Sequence, residues 1–139
     1  MFLPDGSETE TIDVMHRIWT GAWPENRAPQ IKGMTLDGKT SDSDISLAPG
    51  ATVAASVESS DPNGDGLKFE WVLLEESQAT QTGGDLEDVP DEVSGQITGG
   101  DGSEISLTTP TQPGAYRLFV YVRDGKAKAG HANIPFQVR

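Results

Sequence analysis

The sequence predicts an all-β sandwich of about seven strands, preceded by a segment of different character. Three observations predict it. From Pro29 onward, large apolar residues alternate with polar ones, the two-residue period of a strand with one buried face. Turn signals separate the runs: Pro49-Gly50, Pro62-Asn63-Gly64-Asp65, Gln112-Pro113-Gly114 and Arg123-Asp124-Gly125-Lys126. No helical period survives after Pro29, and a series of short strands at such spacing packs as two sheets.

The candidate strands follow in order. Gln30 to Leu36 is the first and Ile45 to Leu47 the second. Thr52 to Glu58 places Val53, Ala55 and Val57 on one face. Leu67 to Leu74 does the same with Leu67, Phe69, Trp71 and Leu73. Glu104 to Thr108 offers Ile105 and Leu107. Tyr116 to Arg123 turns Tyr116, Leu118, Val120 and Val122 inward, and His131 to Val138 turns Ala132, Ile134, Phe136 and Val138 inward.

Residues 1–28 read differently. The stretch MFLPDGSETETID is polar and is expected to be loose. In VMHRIWTGAWPENRAP, residues Val14, Met15, Ile18 and Trp19 fit a helical turn or two. Pro24 and Pro29 end any helix, because proline lacks the amide donor and restricts the residue before it. The expected organisation is a linker or domain tail over 1–28 and the sandwich over 29–139. A second break lies between Glu75 and Glu104, where no Lys or Arg occurs from Lys68 to Arg117 and two Gly-Gly pairs bracket an acidic run. A connection this long is unusual in a compact domain and points to a functional loop. Its middle, Val89 to Ile97, has room for a short strand or turn.

With 139 residues the chain suits one domain with a core of its own. It has no cysteine, hence neither disulfide nor thiolate zinc site. A net charge of −12 argues against nucleic acid and anionic membrane as partners, since both are polyanions. No run approaches the roughly 20 apolar residues of a membrane-spanning helix. The start lacks the basic and apolar regions of a secretory signal, which is consistent with a fragment of something longer.

The stretch SSDPNGDGLKFEWVL resembles the DPxGDxLxYxW signature of PKD-type Ig-like domains, and PGAYRLFVYVRDGKAKAGHANIPFQV resembles their last two strands. NRAPQI matches the way such modules begin after a linker, so the likeness spans Asn26 to Arg139. WPENRAPQI, the GGD segment and YRLFVYVRDGK together resemble C-terminal modules of secreted bacterial carbohydrate-active enzymes. That resemblance implies an Ig-like fold and a secreted, periplasmic or cell-surface location. It also implies an upstream catalytic domain in the same polypeptide. The long 75–104 insertion departs from simple PKD repeats.

Two readings stand for the DPNGD turn. Asp61, Asn63 and Asp65 satisfy turn amides in one. In the other they supply oxygens to calcium, with Asp124 from the loop before the last strand adding a fourth. The helical calcium loop is absent, because its downstream Glu is not at the required spacing. Trp71 is expected in the core and Tyr116 at a strand corner with its hydroxyl on backbone, as in Ig-type folds. Phe119 and Tyr121 have outward parity, matching Val72 and Leu74 on a neighbouring strand, and would form an apolar patch that needs cover. Trp19 and Trp23 are candidates for stacking on sugar C–H faces or for anchoring on a neighbouring domain.

An enzyme is not expected. The 22 acids are too many to single out a hydrolytic pair. No nucleophile elbow occurs, and His16 and His131 stand alone in the sequence. The function expected is a noncatalytic accessory module of a secreted bacterial glycoside hydrolase or related enzyme, packing against or spacing the catalytic domain. Direct polysaccharide binding, or a calcium-stiffened surface spacer, are the alternatives.

Overall fold

A computed structural model of the chain describes residues 2–76 and 90–139. After helix α1 (Glu10–Thr20) come strands β1 (Gln30–Leu36), β2 (Ser46–Leu47), β3 (Thr52–Ser60) and β4 (Lys68–Glu75). Strands β5 (Ile97–Thr98), β6 (Glu104–Thr108), β7 (Gly114–Arg123) and β8 (Ala129–Val138) complete the order. They form two four-stranded sheets, β1-β3-β6-β5 and β2-β8-β7-β4. This is the strand arrangement of an immunoglobulin-type sandwich, with its first strand divided between the sheets. β2 runs parallel to β8, while the other paired strands are antiparallel.

The two-residue period places the core. Leu36, Leu73, Leu107, Leu118, Val120, Val122 and Ile134 are fully buried between the sheets. Trp71 lies among them, and its indole N–H donates to the Gly102 carbonyl at 2.8 Å. Tyr116 is buried against Phe136, ring centroids 5.8 Å apart, and its hydroxyl donates to the Gln112 carbonyl at 2.9 Å. Both aromatic expectations hold. Pro135 sits in β8 where β2 does not reach, since β2 pairs only with Gln137 and Val138, so its missing N–H breaks no ladder there.

The 75–104 segment departs from a plain loop. Of its described part, Glu92 bridges Leu74, and Ile97–Thr98 pairs with β6 as an eighth strand. The second Gly-Gly pair lies in a turn closed by the Gly102 amide on the Gly99 carbonyl. The first pair, Gly83-Gly84, lies outside the described residues.

The start of the chain is not loose. Residues 3–7 form a tight turn in which the Leu3 amide bonds the Ser7 carbonyl at 2.9 Å. Leu3, Ser7 and Thr9 are buried. Glu8 then adds beside the β7–β8 turn, its N–H to Ala127 O and its carbonyl to Ala129 N, both 2.9 Å. The helix is three turns long instead of one or two, and Gly21 ends it in the left-handed conformation with φ +79°. Period-2 reasoning over 1–28 misses this, because what holds the segment is polar.

The return of the chain to β1 passes very close to β8. A Cβ on Gly130 would lie 2.8 Å from the Pro29 carbonyl oxygen and 3.2 Å from Ile31 Cγ1. Gly130→Ala is therefore expected to lower stability by about 1–3 kcal/mol through overpacking, read as a drop in the urea midpoint. An unchanged midpoint would show that the approach is not close in solution.

Candidate functional site

The site grows from two turns at one end of the sandwich and the strap that crosses them. Asp61 follows β3, and its Oδ1 accepts the amides of Asn63 (2.8 Å) and Asp65 (3.1 Å). Asp124 follows β7 and is buried; its Oδ1 accepts the amides of Lys126 (2.7 Å) and Lys128 (3.1 Å). Each carboxylate thus caps its own turn. Doing so brings one oxygen from each of Asp61, Asp65 and Asp124 within 4.8 Å of the others.

Asn63 does not join them. Its amide donates to the Glu25 carbonyl at 2.7 Å and its carbonyl accepts the Arg27 amide at 2.8 Å, so it pins the strap. Asn26 takes the place in the cluster that sequence reasoning had given to Asn63. The Asn26 amide donates to Asp124 Oδ2 at 2.7 Å. Asn26 Oδ1, Asp61 Oδ2 and Asp65 Oδ2 are buried and unpartnered. Buried oxygens without a donor are costly. The three carboxylates, one oxygen of each within 4.8 Å of the others, fit a cation. Ca²⁺ binds oxygens at 2.3–2.6 Å, so ligands on opposite sides of it lie roughly 5 Å apart, the dimension seen here. Lys126 donates to Asp65 Oδ1 at 2.6 Å, and its side chain is mostly exposed. Asp65 heads the influences that raise its pKa.

A second polar node fixes the strap. Lys128 Nζ donates to Glu8 Oε2 at 2.5 Å and to Asp13 Oδ1 at 2.7 Å. The Asp13 side chain is fully buried, and its Oδ2 accepts the Ala28 amide at 2.6 Å. Burial disfavours the Lys128 ammonium, but its bonds to Asp13 and Glu8 outweigh that and raise its pKa. Sequence reasoning does not single out Asp13 or Lys128: Asp13 is one of two acids in the first turn of α1, and Lys128 lies on a turn that also carries Lys126.

The aromatic candidates separate. Trp23 is half-buried, with the guanidiniums of Arg17 and Arg27 at 4.5 and 3.8 Å from its ring centroid, a cation–π stack that occupies it. Trp19 is 76% exposed. Phe119 and Tyr121 lie on the outer face of β7, opposite Val72 and Glu70 of β4, their rings near parallel and centroids 6.4 Å apart. His131 of β8 flanks Tyr121 at 6.4 Å, and Arg123 lies 5.4 Å from the Tyr121 ring. Leu74, Pro90, Arg117 and Phe119 line a shallow cleft beside it.

No family model matches the chain, and no curated protein matches it significantly. Among solved structures it is similar to PcoC, a methionine-rich copper resistance protein from Escherichia coli. The TM-score is 0.41 at 15% identity, covering 81% of this chain and 99% of that one. Among the described residues, no helix is long and apolar enough to cross a membrane.

Lys128→Met should leave Asp13 buried without its counter-charge and cost about 3–5 kcal/mol, measured by urea unfolding. The wild-type bridge also sets a pH limit. Because the folded pKa of Lys128 lies above its ordinary 10.5, its stabilisation is complete below that value and fades as pH rises through the folded pKa. Alkaline melts should show this loss in the wild type and not in Lys128→Met.

Proposed function

We propose that the chain is a noncatalytic, calcium-latched accessory module of a secreted polypeptide. The observation that carries this reading is the trio of unpartnered buried oxygens on Asn26, Asp61 and Asp65 around Asp124. They sit where the N-terminal strap meets the sandwich. A cation there would bind both and fix the direction in which the chain enters the fold. Asp61, Asp65, Asp124 and Asn26 Oδ1 would supply side-chain oxygens, with backbone and water completing the six to eight that calcium takes. The acidic balance of the chain favours cation binding as well. Asn63 would act by holding residues 25–27 in place, not as a ligand.

The likeness of WPENRAPQI and YRLFVYVRDGK to modules of secreted carbohydrate-active enzymes supports a bacterial glycoside hydrolase or related enzyme as the parent. It also supports a PKD-like membership and a periplasmic, extracellular or cell-surface location, where calcium sites of extracellular modules work at about 10⁻⁴–10⁻³ M. The near-parallel rings of Phe119 and Tyr121 favour a second reading, direct contact of that sheet face with polysaccharide.

Calcium at 100 times its Kd should stabilise the fold by about 2.7 kcal/mol, raising Tm by roughly 5–10 °C for a domain this size. EDTA should reverse the shift and Asp61→Asn/Asp65→Asn should abolish it. Identical melts with calcium and with EDTA would remove the latch. Depletion of the chain by an insoluble polysaccharide, lost in Tyr121→Ala, would move the second reading ahead.

A further inference from the structure

Lys128, Asp13 and Glu8 form a group whose chemistry reaches beyond an ion pair. Lys128 Nζ lies 2.7 Å from Asp13 Oδ1, one C–O bond away from the Asp13 carboxyl carbon. The Asp13 side chain is fully buried and that of Lys128 is 11% exposed, so little water competes for either. Glu8 Oε2 lies 2.5 Å from the same nitrogen, and its side chain is 39% exposed. The other Asp13 oxygen, Oδ2, accepts the Ala28 amide at 2.6 Å. Backbone bonds hold the partners in place: Lys128 is tied through its N–H and its carbonyl to Asp124, and Glu8 to Ala127 and Ala129. Amide formation needs four parts: an amine nucleophile, a carboxyl carbon beside it, a proton relay and an N–H on the oxygen that gains charge. All four meet here.

We propose that Lys128 and Asp13 condense into an intramolecular isopeptide bond, with Glu8 as the proton relay. One proton passes from Nζ to Asp13 Oδ1, which removes two charges that burial disfavours. The amine lone pair then attacks the carboxyl carbon. The carbonyl electron pair moves onto Oδ2, where the Ala28 N–H stabilises the oxyanion. Glu8 takes a proton from the nitrogen and returns it to the Oδ1 hydroxyl. The Cγ–Oδ1 bond breaks, Oδ1 leaves as water and the carbonyl re-forms at Oδ2. One ammonium and one carboxylate become an amide and water, and Glu8 ends as it began. The bond joins residues 13 and 128 in a chain that has no cysteine for a disulfide. It fastens the N-terminal strap to the β7–β8 turn under conditions that break ion pairs. The ion pair and its alkaline limit belong to the chain before condensation. The bond depends neither on calcium nor on the accessory role.

The intact mass of the chain, incubated folded and then denatured, tests it. The wild type should weigh one water less than its sequence, and digestion should release one branched peptide joining Asp13 to Lys128. Lys128→Arg, which keeps the cation, should have the full sequence mass. Glu8→Gln leaves Lys128 and Asp13 in place and should slow conversion by about 100-fold or more, read as the dehydrated share against time after refolding. A wild type that stays at full mass through prolonged folded incubation would overturn the bond. So would a loss of water that persists in Lys128→Arg, since a succinimide at Asp65-Gly66 or Asp124-Gly125 also sheds one water. Conversion of Glu8→Gln at the wild-type rate would overturn the relay.

Discussion

The position of the first 28 residues depends on one ammonium group. Lys128 reaches Glu8 and Asp13 at once, from the turn that joins β7 to β8. Asp13 in turn holds the amide of Ala28, just before β1 begins. A single part-buried cation therefore links the start of the chain, the helix and the first strand to the last hairpin. Such a node adds little stability over an apolar replacement, but removing one partner strands a buried charge. Its effect is to select one pose for the strap, and everything that the strap carries inherits that pose.

The loop cluster is the same principle applied at the other end of the strap. Asn63 and Asn26 attach residues 25–27 to the turns after β3 and β7. Arg17 and Arg27 stack on Trp23 between those anchors. Arg123 adds a bond to Asp5 at 3.0 Å, whose carboxyl is held below its usual range chiefly by the Ser7 amide. Polar attachment on the inner side frees the apolar side of α1 for the outside. Carboxylates that cap turns are common, and Asp61 and Asp124 do so here. The oxygens left over are what fit a cation.

The sandwich was legible because burial on one face leaves a period of two. Leu118, Val120 and Val122 announce their strand directly, and Trp71 and Tyr116 fall where an Ig-type core requires them. β5 showed in the sequence only as room for a short strand or turn over Val89 to Ile97, since Ile97–Thr98 is too short for any period to show. The strap was not legible either. Its contacts are ion pairs and amide bonds between residues up to 120 positions apart, and sequence spacing carries no signal of such pairs. Three of the four proposed metal ligands were visible from turn chemistry. Asn63 stands between them in the sequence, but its side chain holds residues 25–27, while the fold brings Asn26 to Asp124 across a separation of 98 residues.

Residues 2–28 are an integral, polar-latched part of the fold. Native-state amide hydrogen exchange tests it most directly, read at Glu8, Ala28 and Ala129, whose amides bond to Ala127, Asp13 and Glu8. These amides should be protected as well as the β7–β8 ladder and should lose that protection together when Lys128 is replaced. Exchange of Glu8 and Ala28 at the rate of a free peptide, with β7 and β8 still protected, would contradict it.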